Sequence, residues 1–361
     1  LAYTGVRNVN NPFIKAVMER KGIENPTTRD WSFSIISMIN AVTRIGTLEE
    51  KHRLFEALAV DHDIIETVEV RKKNKKTGKF DKIEVEMTFP EIIAKECESI
   101  KTKQDKIVKE ALDAVKYIYK NNVLIGVLDS GYPSSINGLI AMKLAREYGR
   151  PVLMVKRIGE YFKGSGRNIN NSPIPDLNKM LTDTGLFTCK GHANAFGVEF
   201  HVSDALEVLK AIESELIDVN LSDIEYEADF QWTNNLDSNI IHTLANNKDM
   251  WCNGIDEPLI HLKNILVRKE NIKLIGKTDN TLKINVNGID CVKFFLKEEQ
   301  KNEIVTAPDV MYFDLICTAS VNSFRGMNTP QLMIEEYSIS DAKDHVENHL
   351  CVDELPTILI I

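Results

Sequence analysis

Apolar positions in the first sixty residues recur at helical spacing. Asn11-Pro12 precedes Phe13, Ile14, Val17 and Met18, which predicts a helix with proline in its first turn and Gly22 at its end. Trp31 to Ile45 is strongly apolar, and Leu48 to Val60 reads as an amphipathic helix with Thr47 as N-cap. From Ile65 the pattern becomes extended. Ile65, Val68 and Val70, then Ile83, Val85 and Met87, flank Arg71-Lys72-Lys73-Asn74-Lys75-Lys76-Thr77-Gly78-Lys79. This predicts a β-hairpin with a basic tip, read as a solvated insertion with nucleic-acid contact as the alternative. Residues 90–121, entered at Pro90 and rich in Lys, Glu and Ala, read as one long connector helix.

Past Asn122 the texture changes again. Val123–Leu128 is a buried-strand run, Gly138–Tyr148 a helix and Pro151–Val155 a second strand, a β-α-β pattern that predicts an α/β domain. Gly197–Val202 supplies a further strand, and Asp204 opens a helix to about Leu216. From about 222 to 340 short alternating segments recur at Asn264–Val267, Lys273–Gly276, Leu282–Val286, Cys291–Leu296, Phe313–Ala319 and Gln331–Glu336. Thr278-Asp279-Asn280, Asn287-Gly288 and Gly326-Met327-Asn328 separate them. Strands this short and this closely spaced predict a small barrel of the OB type, so the fold class is α/β plus β.

Composition adds three constraints. The 361 residues carry a net charge of −9, which argues against non-specific nucleic-acid binding by the whole surface. Lys143 to Lys190 reverses that sign locally, with nine Lys or Arg against four Asp or Glu. Six scattered cysteines without a C-x-x-C pair predict buried free thiols in a reducing, cytoplasmic compartment, and no apolar run approaches a membrane span.

Two segments carry candidate chemistry. Phe162-Lys163-Gly164-Ser165-Gly166-Arg167-Asn168 reads as a glycine-rich loop after a strand, able to offer backbone N–H groups, a hydroxyl and a guanidinium to one phosphate; an ordinary turn is the alternative. In Cys189-Lys190-Gly191-His192-Ala193-Asn194-Ala195-Phe196-Gly197 small residues crowd a single His, leaving room for a large group to approach. Asp61-His62-Asp63 resembles a ligand set but ends an amphipathic helix, and His345 and His349 lack an H-E-x-x-H context. No G-x-S-x-G, P-loop or cysteine zinc pattern occurs.

Taken in order, these residues resemble the DHH phosphoesterases, and within them the RecJ branch of single-strand-specific 5′→3′ DNA exonucleases. Gly164-Ser165-Gly166-Arg167, Lys190-Gly191-His192-Ala193 and Gly197 resemble the DHH-associated domain. Asn40-Ala41-Val42-Thr43-Arg44-Ile45-Gly46 resembles the family's N-A-x-x-R-x-G stretch, and Gly138-Leu139-Ile140-Ala141 with Arg150-Pro151-Val152 its G-I-x-A helix and R-P-V strand. Asn322–Gly326 with Gln331-Leu332 resembles the oligonucleotide-binding domain. Lys190 stands where the family has glycine, and residues 65–87 look like an insertion.

The resemblance implies a layout: 1–89 as the last part of the catalytic domain with a hairpin insertion, 90–121 as connector helix, 122–221 as DHH-associated domain, 222–340 as OB-like domain and 341–361 as an acidic and apolar tail. The family's Asp/His motifs for two divalent ions, Mn²⁺ or Mg²⁺, are absent here and precede the matching region, so the chain is expected to be the C-terminal part of such an enzyme, inactive alone. By the same resemblance Ser165 and Arg167 would bind a terminal 5′ phosphate. His192, with Gly191, would grip the scissile phosphate, Lys190 would add a phosphate contact and Arg44 would touch the strand. Phe294, Phe295, Tyr312, Phe313 and Phe324 are candidates for base stacking. Single-stranded DNA is the implied partner, in a setting of DNA repair or recombination where a single-strand-binding or replication protein could also dock. The alternative is a non-catalytic nucleic-acid-binding or replication scaffold of the same fold.

Overall fold

The computed structural model describes residues 2–60, 64–73, 80–221, 224, 226–233, 236–251, 256–276, 278–324 and 327–341. Asp61-His62-Asp63, the hairpin tip at 74–79 and both His345 and His349 lie outside them. The chain divides into two compact units, Leu1–Glu225 and Tyr226–Ile361.

The first unit begins with helices α1 (Ala2–Arg7) and α2 (Pro12–Lys21). Next, α3 (Thr28–Asp30) passes through a π-helical turn, Trp31–Ile35, into α4 (Ile36–Ile45), and α5 (Leu48–Ala59) follows. Their ends are set by short polar side chains. Asn11 accepts from the Ile14 N–H at 3.1 Å, and Thr47 and Glu50 form a reciprocal capping box. Strands β1 (Ile65–Lys73) and β2 (Phe80–Thr88) form the predicted hairpin as a separate two-stranded sheet.

Helix α6 (Phe89–Asp113) starts at another capping box, Thr88 with Glu91. Its buried stripe Ile93, Cys97, Ile100, Gln104, Val108, Ala111 keeps one face. The first three pack among α2, α4 and α5 residues, and the last two in the core around α7 described below. Each apolar member contributes roughly 1.5–3 kcal/mol on full burial. Burial pushes the Cys97 thiol up to about 12, which leaves it unreactive near neutral pH.

The connector is shorter than its composition predicts. It ends at Asp113, and Lys116–Lys120 is strand β3. The Lys-Tyr-Ile-Tyr-Lys alternation wins over helix propensity because a partner strand is available. A bulge between Tyr117 and Tyr119 sends the two rings to the cores on opposite sides of the sheet.

The rest of the unit is β4 (Leu124–Val127), α7 (Asn137–Tyr148), β5 (Val152–Ile158), β6 (Tyr161–Arg167), α8 (Leu177–Asp183), β7 (Thr188–His192), β8 (Ala195–His201) and α9 (Ala205–Glu215). The sheet order is β3-β4-β5-β6-β8-β7, with β4 and β5 parallel around α7 and the remaining pairs antiparallel. Alternation along β5 sends Leu153 and Val155 to the α8–α9 core, and Val152 and Met154 to the α6–α7 core.

The glycine-rich segment 162–168, predicted as a loop, is almost wholly strand. Residues 161–167 are β6, hydrogen-bonded to β5 and β8, so their backbone N–H groups belong to ladders rather than to a phosphate cradle. The glycines serve packing. A β-carbon on Gly164 would lie 1.9 Å from the Met154 carbonyl oxygen, and one on Gly166 would lie 2.4 Å from the Phe196 ring.

The second unit holds β9 (Phe230–Trp232), α10 (Ser238–Asn246), β10 (Leu259–Arg268), β11 (Ile272–Ile275), β12 (Thr281–Val286), β13 (Ile289–Phe294), α11 (Glu298–Thr306), β14 (Val310–Phe324) and β15 (Met327–Asp341). The six strands read from the sequence are present, some longer, with β9 and both helices added. Asn287 and Gly288 take positive φ of 50° and 87° and join β12 to β13 in register. At Asn264, φ 53°, a bulge shifts the buried parity of β10 from Ile260 and Leu262 to Ile265 and Val267. The sequence reading began that strand at the bulge for this reason. Among the described residues the ladders run β11-β12-β13-β15-β14-β10-β9.

The Gly164 contact gives a direct test. Gly164→Ala must push β6 off β5 and is expected to lose about 1–3 kcal/mol of stability. Gly197→Ala, whose β-carbon meets only carbonyl oxygens 3.6 and 3.8 Å away, is expected to stay within about 0.5 kcal/mol of the parent. Thermal unfolding of the two variants measures the difference.

Candidate functional site

Pairing register, more than sequence order, assembles the candidate residues. Arg167 on β6 stands opposite Ala195 on β8, which stands opposite His192 on β7. One step along, Ser165 stands opposite Gly197, which stands opposite Lys190. Directly opposed residues share a sheet face, so Ser165, Arg167, Lys190 and His192 lie on one face. The residues between them, Ala195 and Gly197, have almost no bulk. The result is a trough about 10 Å across between the outer rows, two strand spacings wide. Arg167 and Ser165 are half-buried, and Lys190, His192 and Gly197 are exposed. The next row differs chemically: Lys163 pairs with Glu199 at 2.8 Å.

Arg167 is held by its surroundings. Its Nη1 donates to the Gly166 carbonyl at 2.6 Å. A β-carbon on Gly138 would lie 2.7 Å from its Nη2 and 3.7 Å from the Ser165 Oγ, so the guanidinium and the hydroxyl lie over the first turn of α7. That helix has no side-chain cap and continues from a 3-10 turn, Ser134–Ile136, in which the Ser134 carbonyl accepts from the Asn137 N–H. Asn137, just before Gly138, is only 1% exposed, and neither atom of its amide finds a hydrogen-bond partner in the protein. Asp176, nearby in sequence, caps α8 by accepting from the Lys179 N–H at 2.8 Å.

Arg44, near the end of α4, completes this group. Its carbonyl accepts from the Ser135 hydroxyl at 2.7 Å, just ahead of α7. Burial first, and then the positive charge of Arg44, hold the Arg167 guanidinium below the ordinary arginine value. Arg44, Arg167 and Lys190 form no ion pair with a described residue. A half-buried guanidinium that lies over the first turn of α7 and feels a second positive charge is one that an anion would stabilise.

Gly191 has φ 142°, and a side chain there would meet the Phe196 backbone at 2.8 Å. His192 and Lys190 do not touch the Arg44–Arg167 group; they form the far wall of the trough. Three asparagines fix that wall. Asn178 Nδ2 donates to the Gly191 and His192 carbonyls, each at 3.4 Å, and its N–H donates to the Ala193 carbonyl at 2.9 Å. Asn168 Nδ2 donates to Asn194 Oδ1 at 2.9 Å, and Asn194 Nδ2 donates to the Pro175 carbonyl at 3.2 Å. Sequence reasoning passed over Asn137, Asn168, Asn178 and Asn194. The one available signal was that Asn168 and Asn194 each follow a candidate residue within two positions.

Of the stacking candidates, Phe313 is fully buried in the core of the second unit, while Phe294 and Phe295 are 51% and 84% exposed. Phe295 holds its exposed ring at φ 61°. Among the described residues no three His, Cys, Asp or Glu side chains come together as an ion site. The donor set for a pair of divalent ions is therefore not found in them, and no chemical step is derived through such ions. No helix among the described residues is long and apolar enough to cross a membrane.

Residues 234–336 match the family model described as the RecJ OB domain. Over 355 residues, 94% of this chain, the sequence is 27% identical to the Bacillus subtilis strain 168 protein named "Putative SPbeta prophage-derived single-strand DNA-specific exonuclease YorK", covering 60% of it. It is 23% identical to the single-stranded-DNA-specific exonuclease RecJ of Bacillus subtilis over 70% of this chain and 33% of that protein. The crystal structure of Thermus thermophilus RecJ with Mn²⁺ shares the fold, with a TM-score of 0.65 at 14% identity over 94% of this chain and 46% of its own. By these matches the chain is similar to RecJ proteins, and it spans about 60% of the length of the curated YorK relative.

The asparagine clamp predicts a local effect. Asn194→Ala is expected to lower stability by about 1 kcal/mol and to speed amide exchange at residues 191–194, leaving the rest of the sheet unchanged. Hydrogen-exchange mass spectrometry reads this directly.

Proposed function

We propose that this chain is the substrate-gripping part of a single-strand-specific DNA exonuclease acting from a 5′ end. One observation carries the reading: the half-buried Arg167 guanidinium lies with the Ser165 hydroxyl over the first turn of α7, without a carboxylate partner among the described residues and within reach of the Arg44 charge. A terminal phosphate carries more charge than an internal diester and offers oxygens to two guanidinium forks, a hydroxyl and helix N–H groups at once. Binding it relieves the repulsion between the two arginines. The trough then leads the strand toward Lys190 and His192. From there the imidazole and the Lys190 ammonium can donate to the next phosphate and hold charge that develops on it. Separately, the second unit offers Phe294 and Phe295 as exposed rings for sequence-independent stacking, as OB-type modules use.

Hydrolysis itself needs ion-binding donors that the described residues do not group together, so the chain by itself is proposed to bind without cutting. Incubated with labelled single-stranded DNA and Mn²⁺, the purified chain is expected to release no nucleotides. Metal-dependent release that co-purifies with the chain would refute this division of roles.

The phosphate assignment has its own test. Arg167→Ala is expected to weaken binding of 5′-phosphorylated single strands by about ten- to a hundredfold, the roughly 1.5–3 kcal/mol of a charge-assisted hydrogen bond. Strands with a 5′ hydroxyl should lose much less. Gly138→Ala, which displaces the guanidinium without touching the core, should give the same selective loss. Equal losses on both strands, with a lowered melting temperature, would mean that Arg167 is structural.

A further inference from the structure

The β1–β2 ribbon is left unexplained by the site above. It joins no other sheet, and none of its residues belongs to a hydrophobic cluster among the described residues. The body holds it at its base. The Phe89 N–H donates to the Ile64 carbonyl at 3.0 Å, Thr88 and Glu91 form the α6 capping box, and Lys95 Nζ reaches the Glu69 carbonyl at 3.5 Å. Nine paired residues per strand carry it about 30 Å outward. An isolated two-stranded ribbon is marginal in water, so its own packing does not account for its length.

Charge is sorted along it. Glu66, Glu69, Glu84 and Glu86 occupy the half nearest the body, and Arg71, Lys72, Lys73 and Lys82 the outer half, with Asp81 the single acid there. By register Arg71 stands directly opposite Lys82. Like charges placed directly opposite one another weaken a strand pair, and the register also sets Glu69 opposite Glu84 nearer the body. Lys82 reaches back to Glu69 at 2.7 Å, but both side chains stay more than half exposed, so that pair adds little.

We propose that this ribbon is an arm that lies along the phosphate backbone of duplex nucleic acid next to the single strand held in the trough. The inference rests on the nucleic-acid reading above and adds a second substrate element to it. Three features select a duplex over a single strand. The basic residues occupy the strand positions farthest from the body. Phe80 is the only aromatic residue on the described strands, so no platform for stacking unpaired bases exists. A two-stranded ribbon also fits the major groove of B-form DNA, about 12 Å wide.

The test uses the full chain and two probes: a 5′-phosphorylated single strand, and the same strand extended from a blunt hairpin duplex. Wild-type chain is expected to bind the tailed duplex about tenfold or more tighter. Replacing Arg71, Lys72, Lys73 and Lys82 together by Gln should erase that increment. It should also reduce the salt slope on the tailed duplex by about 3–4 and leave single-strand affinity unchanged. Glu84→Gln with Glu86→Gln, made on the same strands, should preserve or raise the increment, which separates charge from ribbon folding. Equal wild-type affinity for the two probes, or an increment that survives the four Gln substitutions, overturns the arm while the single-strand reading stands. Failure of wild-type chain to bind either probe overturns both.

Discussion

The strict alternation of strand β6 is the constraint on which the site depends. On one side Gly164 and Gly166 allow the Met154 carbonyl and the Phe196 ring into space that any β-carbon would occupy. On the other side Ser165 and Arg167 are thereby held to the face shared with β7 and β8. A slip of one residue would put the guanidinium in the α8–α9 core and a glycine in the trough. Steric necessity on the core side therefore fixes the chemistry on the open side.

The trough itself is made by what is small. Ala195 and Gly197 sit between the two rows of polar side chains, and Gly138 gives the Arg167 guanidinium its place over α7. Cations are treated differently according to location. Lys163 is paired with Glu199, whereas Arg44 and Arg167 are left to repel each other in a half-buried setting. Lys156, buried on the same face, is satisfied by the Tyr132 carbonyl, and burial holds its ammonium below the ordinary lysine value. Arg44, Arg167 and Lys190 form no ion pair with a described residue, and the phosphate reading rests on the half-buried Arg167 among them.

Helix α6 brings Arg44 into this arrangement. Its buried stripe serves the helical core at one end and the α6–α7 core at the other, so the end of α4 and the start of α7 are held to one frame. The Ser135–Arg44 hydrogen bond joins them directly. Gln104, buried between the two stretches of that stripe with its amide nitrogen unpaired, marks the change from one core to the other.

Local chemistry alone determined much of this protein. Helix starts at Asn11 and Thr47, the Asn287-Gly288 hairpin and the β-α-β run around α7 follow from capping atoms, positive φ and hydrophobic period, all of which act within a few residues. The same local signals named Ser165, Arg167, Lys190 and His192. They misread the glycine-rich segment around Gly164 as a loop, because glycine in a strand and glycine in a turn look alike until the partner backbone at 1.9 Å is known. They misread residues 116–120 as helix, because strand formation there needs β4 beside it. The convergence of Arg44 with Arg167, the unpaired Asn137 amide and the asparagine clamp join residues far apart in sequence. Register and packing decided these, since a distance across a sheet or between helices has no local trace in the chain.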